Sequence, residues 1–265
     1  MRQSLSAFLC ASALTLMPYS ANAHFQLIYT PELNLTKSGE LPLDLIFWHP
    51  MENAQVLEMK KPQAFFSSFR GERQDLMPTL KEFQFQGRLN SASAFKGSIP
   101  LKRNGDYKVA VVPQPYYDES EDIYIQQVTK LVLNKGAFPT DWAEPLGLDT
   151  EILTLVKPYG AFKGGQFSGV VLSEGKPVPF IELEVEHITA EPGINENRVA
   201  SDKSYSAKGG LIVATTDANG TFHFTFPKEG LWGFAALGSG PQKELNGKEL
   251  SQDAVLWVQA NTWED

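Results

Sequence analysis

Two histidines carry the chemistry that this sequence offers. His24 follows Ala21-Asn22-Ala23, and His49 lies in Phe47-Trp48-His49-Pro50-Met51-Glu52. Residues 1–23 hold one base, Arg2, then an apolar run from Leu5 to Met17, then Ala-x-Ala. That is the three-part layout of a secretory signal peptide. Cleavage after Ala23 makes His24 the first residue of the mature chain. An α-amine and an imidazole on the same residue can close a chelate ring around a transition metal. The amine's reference pKa of about 7.7–8.0 lets a metal displace its proton near neutral pH. The expectation is that the fold brings His24 and His49 together around one metal ion. Glu52 and Met59, in the loop from Met51 to Lys61, are candidates for further donors through a carboxylate oxygen and a thioether sulfur. Both also suit a solvated turn.

Composition narrows the setting. The apolar run in residues 5–17 is shorter than the roughly 18–20 residues a membrane-spanning helix needs, so the chain is expected to be exported to the periplasm rather than anchored. Loss of Arg2 with the signal leaves 22 basic residues against 31 acidic ones, a net charge of −9. That balance disfavours nucleic acid and anionic membranes as partners and mildly favours cations. The single cysteine, Cys10, falls inside the signal, so the mature chain has no disulfide and no thiolate ligand.

The elements that must position the histidines read as strands. Gly (21) and Pro (17) punctuate short runs rich in Val, Ile, Phe, Tyr and Thr, and no long helical stripe is present. The fold class expected is all-β: two β-sandwich domains in tandem, residues 24–158 with the metal site and 159–265 as a second sandwich. Phe25 to Tyr29 is the first strand. Leu41 to Trp48 is a second, and Pro50 ends it, because proline lacks an N–H and restricts the residue before it. His49 therefore sits on a strand–loop junction. Further strands are expected from Gln63 to Phe69 and from Ile123 to Asn134.

Other polar residues receive weaker roles. Asp118-Glu119-Ser120-Glu121-Asp122 lacks the ligand order of an EF-hand and reads as an exposed acidic loop. In Ile181 to His187 the alternation puts Ile181, Leu183, Val185 and His187 on one face and Glu182, Glu184 and Glu186 on the other. His187 then reads as a hydrogen-bonded histidine at the rim of a core. His223, opposite Phe222 and Phe224, is expected to face solvent.

A set of motifs runs through the mature chain: Ala-His-Phe at its start, Leu45-x-Phe47-x-His49-Pro50, Met59-Lys60-Lys61-Pro62, Pro113-Gln114-Pro115-Tyr116, Gly175-Lys176-Pro177-Val178-Pro179 and Trp232-Gly233-Phe234-Ala235-Ala236. Together these resemble a bacterial periplasmic family known as a domain of unknown function and associated with nickel uptake. Its members are accessory components of energy-coupling-factor-type transporters. The resemblance implies that His24 and His49 bind Ni2+, with Co2+ or Cu2+ as alternatives. It implies that the partners are membrane components of a metal-uptake transporter and that the protein is no enzyme. It also implies a further histidine in some relatives where this chain has Gln126 and Gln127. The second half, residues 159–265, resembles transthyretin-like or carboxypeptidase-regulatory-like modules, small immunoglobulin-like sandwiches that act as spacers or docking units. Two alternatives stand beside nickel capture. One is a copper histidine brace or oxidative enzyme that recruits Tyr116 or Tyr117. The other is a metal-free module binding carbohydrate or protein through aromatics such as Trp48, Tyr116 and Trp142.

Overall fold

The computed structural model describes residues 24–263, so the signal-peptide reading of residues 1–23, with Cys10, lies outside the described residues. The all-β expectation holds. Among the described residues the helical content is a single 3-10 turn, Met77–Thr79, and no helix is long and apolar enough to cross a membrane. The expected strands are found as Phe25–Tyr29, Gly39–Trp48, Ala64–Phe69 and Ile123–Lys135.

A sheet of twelve strands forms the middle layer. Its path runs from Ile212–Thr215 through Glu182–His187, Gly230–Ala236, Lys248–Asn261, Ile123–Lys135, Gly105–Val112 and Ala64–Phe69 to Glu72–Asp75. The two halves of the chain join where Ile123–Lys135 pairs in parallel with Lys248–Asn261, from Tyr124↔Leu250 to Leu131↔Trp257. Side chains alternate across a pleated strand, and here both faces are buried. Val255 and Trp257 enter one apolar cluster, while Ala254, Leu256, Val258 and Ala260 enter the other. A seven-stranded sheet containing Phe25–Tyr29 and Gly39–Trp48 covers the first cluster. A four-stranded sheet containing Thr150–Thr154 and Gln166–Ser173 covers the second.

The division between the cores does not fall at residues 158/159. Ile152 packs in the second cluster, and Ile188, Ala190, Val199 and Leu231 pack in the first. A strand buried on both faces serves two layers at once, so the cores share the middle sheet instead of following each other along the chain. The same geometry explains Glu182–His187. Leu183 and Val185 look into the second core, and the opposite face turns toward the first, leaving Glu184 and Glu186 only 4% exposed.

Candidate functional site

The two histidines meet because their strands pair. Phe25–Tyr29 and Gly39–Trp48 run antiparallel with Phe25 opposite Trp48. One step beyond that pair, His24 and His49 stand across from each other, where side chains of directly opposed residues come within contact. Their ring centroids are 4.2 Å apart with planes tilted by 50°. Both are buried, at 8% and 7% exposure, and both line a cleft of about 500 Å3 with Tyr116, Tyr117, Asp118 and Ser120.

Contacts from distant parts of the chain fix each backbone. Gln127 donates from Nε2 to the His24 carbonyl at 2.6 Å and accepts the Gln26 N–H on Oε1 at 2.7 Å. Trp257 donates from Nε1 to the Gln26 carbonyl at 2.9 Å. Phe25 packs against Gly233, where an added Cβ would lie 2.9 Å from the Phe25 ring and 2.7 Å from Trp257, so only glycine lets the first strand lie this close. On the other side, Met51 donates its N–H to the Glu186 carboxylate at 3.1 Å, and Asn53 donates to the carbonyls of Ser201 and Lys203 at 3.0 Å. The loop after His49 is thus held by residues more than a hundred positions away. Burial holds the Glu186 carboxyl well above the usual range, with Glu184 and Glu52 adding to the effect and the Met51 N–H opposing it.

A carboxylate completes the group. Asp118 Oδ2 lies 3.8 Å from His24 Nε2. Its other oxygen accepts the Ser120 N–H at 2.8 Å, the Ser120 hydroxyl at 2.6 Å and the Glu121 N–H at 3.3 Å. Burial pushes the Asp118 carboxyl up, but those hydrogen bonds and His24 outweigh it, so the group stays below its ordinary value and ionised. Glu119, Ser120 and Asp122 are exposed, as expected of an acidic loop, and Asp118, 7% exposed, is the exception to that reading. Tyr116–Asp118 folds back on Ile123–Lys135, with Asp118 opposite Ile123, and that pairing turns the aspartate inward. The Asp-x-Ser turn is the local signal that marks it.

The other expected donors lie elsewhere. Glu52 is exposed and accepts a hydrogen bond from the Ser206 hydroxyl at 3.3 Å. Met59 is buried in the neighbouring cavity, with its sulfur 3.6 Å from Gln26 Nε2. Neither lines the histidine cleft. The two glutamines are committed to structure: Gln126 donates to the Pro113 carbonyl at 2.9 Å and accepts from Gln252 at 2.9 Å, while Gln127 holds the first strand. His187 packs on Trp232 at the rim of the second core, and His223 is exposed, as their alternation predicts. Among the described residues no three His, Cys, Asp or Glu side chains are grouped closely enough to hold a metal ion by themselves. What the site offers is two imidazoles in contact, one ionised carboxylate beside them, and the backbone nitrogen of His24.

The chain has distant likenesses among solved structures. It is similar to the D00-D0 domain of Intimin at 12% identity and a TM-score of 0.21, covering 90% of this chain and 100% of that one. It is similar to Salmonella alpha-2-macroglobulin reacted with methylamine at 10% identity and a TM-score of 0.24, covering 92% of this chain and 15% of that one. No curated protein matches it. A family profile, by contrast, spans residues 21–240, which hold His24, His49, Asp118 and most of both cores, the strand Lys248–Asn261 lying beyond it. The chain belongs to that family, described as Domain of unknown function (DUF4198).

Proposed function

We propose that the mature protein captures a transition metal ion in the periplasm, nickel or cobalt, and passes it to a membrane importer. The observation that carries this reading is the contact between His24 and His49, 4.2 Å between ring centroids, with the Asp118 carboxylate 3.8 Å from His24. Imidazole nitrogens, an α-amine at His24 and a carboxylate form a donor set suited to a borderline divalent ion. The set is sparse, and sparseness suits a cargo that must be released again. Cu2+ outranks Ni2+ at almost any site of this kind, and the resemblance to proteins of nickel uptake is what favours nickel. A copper histidine brace is the second reading, favoured by the Tyr116 ring 6.2 Å from that of His24.

The test is calorimetric titration of the chain starting at His24 with Ni2+, Co2+ and Cu2+, beside a chain extended by one residue before His24. Extension is expected to weaken binding at least tenfold, about 1.4 kcal/mol. Equal affinities would remove the α-amine from the site. Copper-dependent peroxide formation would shift the assignment to the brace, and absence of metal binding would leave a metal-free module.

A further inference from the structure

The second core draws on Glu182–His187, Gly230–Ala236 and Lys248–Asn261 of the middle sheet. Past Ile123–Lys135, over Gly105–Val112, Ala64–Phe69 and Glu72–Asp75, lies a cleft of about 760 Å3. Phe138, 54% exposed, gives it apolar surface, Arg70, Arg73 and Lys108 line it as cations, and Asp141 and Glu144 line it as acids. Lys108 is neutralised from within, its Nζ 3.0 Å from the Asp141 carboxylate and 3.2 Å from the Glu144 carbonyl.

The two arginines differ from Lys108. Among the described residues neither guanidinium has an ion-pair partner. Both are instead placed by aromatic rings. The Arg73 guanidinium carbon lies 3.3 Å from the centroid of Phe66, and that of Arg70 lies 5.4 Å from Phe69 and 6.0 Å from Phe138. Arg70 also occupies a tight hairpin. Arg70 and Gly71 have φ of 50° and 80° and join the pair Phe69↔Glu72, the two-residue turn that needs positive φ at both positions. A stacked guanidinium keeps its planar edge of N–H donors turned outward, and stacking lowers the entropy lost when a ligand binds. In a chain of net charge −8, two such arginines with no ion-pair partner among the described residues mark a place prepared for an external anion.

We propose that this cleft binds a small ligand with an oxyanion and an apolar body. Arg70 and Arg73 take the oxyanion through their N–H edges, and the exposed Phe138 ring takes the body. The oxyanion is a phosphate or a carboxylate, which place the same demands on the arginines. This site is separate from the histidine cleft and holds whether or not that cleft binds metal.

Calorimetric titration of the full mature chain with phenyl phosphate, benzoate and inorganic phosphate tests it. One of the two aromatic probes is expected to bind more tightly than inorganic phosphate, and the tighter of them assigns the oxyanion. Arg73→Gln is expected to weaken that binding at least about tenfold, and Arg73→Lys, which keeps the charge but loses the planar edge, to fall between. Both side chains are exposed, so these variants should unfold at the wild-type temperature. Arg103→Gln serves as control. Arg103 pairs with Glu72 at 3.2 Å outside the cleft, and its loss should change affinity by less than about twofold. Equal losses in Arg103→Gln and Arg73→Gln would reduce the effect to diffuse attraction and overturn the proposal. So would the lack of saturable binding of all three probes.

Discussion

Among the described residues, two strand pairs carry histidine at or just past their ends, and they use the imidazole differently. His187 stands directly across from Trp232, with ring centroids 4.7 Å apart, and its Nε2 is 2.9 Å from the Glu229 carbonyl. Burial holds His187 below its ordinary pKa, against the Glu229 carbonyl, which favours the charged form. That histidine is a neutral piece of the rim of the second core. His24, at the corresponding place on the first core, stands across from another imidazole and beside an ionised carboxylate, at the wall of a cleft. Position at a strand end is common to both. What differs is the residue opposite: an indole absorbs the imidazole into packing, and a second imidazole gathers donors.

The comparison predicts that polar groups of the interior govern stability, and those of the cleft govern metal affinity. The largest effect is expected at Glu151, whose carboxylate lies 2.7 Å from buried Lys130 Nζ and also accepts the N–H groups of Leu146 and Gly147. Glu151→Ala leaves a buried ammonium uncompensated and should cost about 3–5 kcal/mol in chemical denaturation. His187→Ala should cost about 1–3 kcal/mol, through the lost contact and the stranded Glu229 carbonyl, and leave Ni2+ affinity unchanged. A parallel fall in affinity would erase the distinction between the two rims. His49→Ala differs from it in affinity. Metal affinity should drop at least tenfold, about 1.4 kcal/mol, while the stability loss, about 1–3 kcal/mol, matches that of the equally buried His187→Ala.

Smaller effects sharpen the contrast. Asp44 is fully buried, its two oxygens accept no hydrogen bond from the described residues, and Lys96 stands 4.0 Å away. Burial raises its pKa to about 6 and Lys96 only partly offsets this, while burial and neighbouring carboxylates raise Glu184 to about 7. Groups with raised folded-state pKa values stabilise the fold below their unfolded values, and that contribution is lost as pH rises through about 6 to 7. Asp44 should therefore make the wild type less stable at pH 8 than at pH 5 by on the order of 1 kcal/mol, and Asp44→Asn should flatten that slope. Least of all, Asp118→Asn should weaken Ni2+ binding by less than about 1 kcal/mol, because the carboxylate stands at the edge of the imidazole pair.

Much of the first rim was legible in the sequence. The apolar run ending at Trp48 and the stop at Pro50 put His49 at a strand end, and Phe25 to Tyr29 put His24 at a strand start. That the two histidines meet was expected from their residue types and is found; the register Phe25↔Trp48 that brings it about was not legible, because neither strand encodes it alone. Glu52 and Met59 show the cost of reasoning from nearness along the chain: a turn sends one toward Ser206 and the other into the next cavity. Asp118 entered the site through pairing of its strand with a partner that the acid-rich composition concealed. The strand Lys248–Asn261 reads as continuously apolar in Ala254 to Val258, as a strand buried on both faces does. That its two faces serve different cores emerges only from the parallel pairing with Ile123–Lys135.

The most direct test is to locate the ion. Crystals of the chain starting at His24, grown with Ni2+ and measured at the nickel absorption edge, should show one anomalous peak within bonding distance of ring nitrogens from both His24 and His49 and of the α-amine. A peak bonded to neither imidazole, or to His49 alone with the His24 amine turned away, would contradict it.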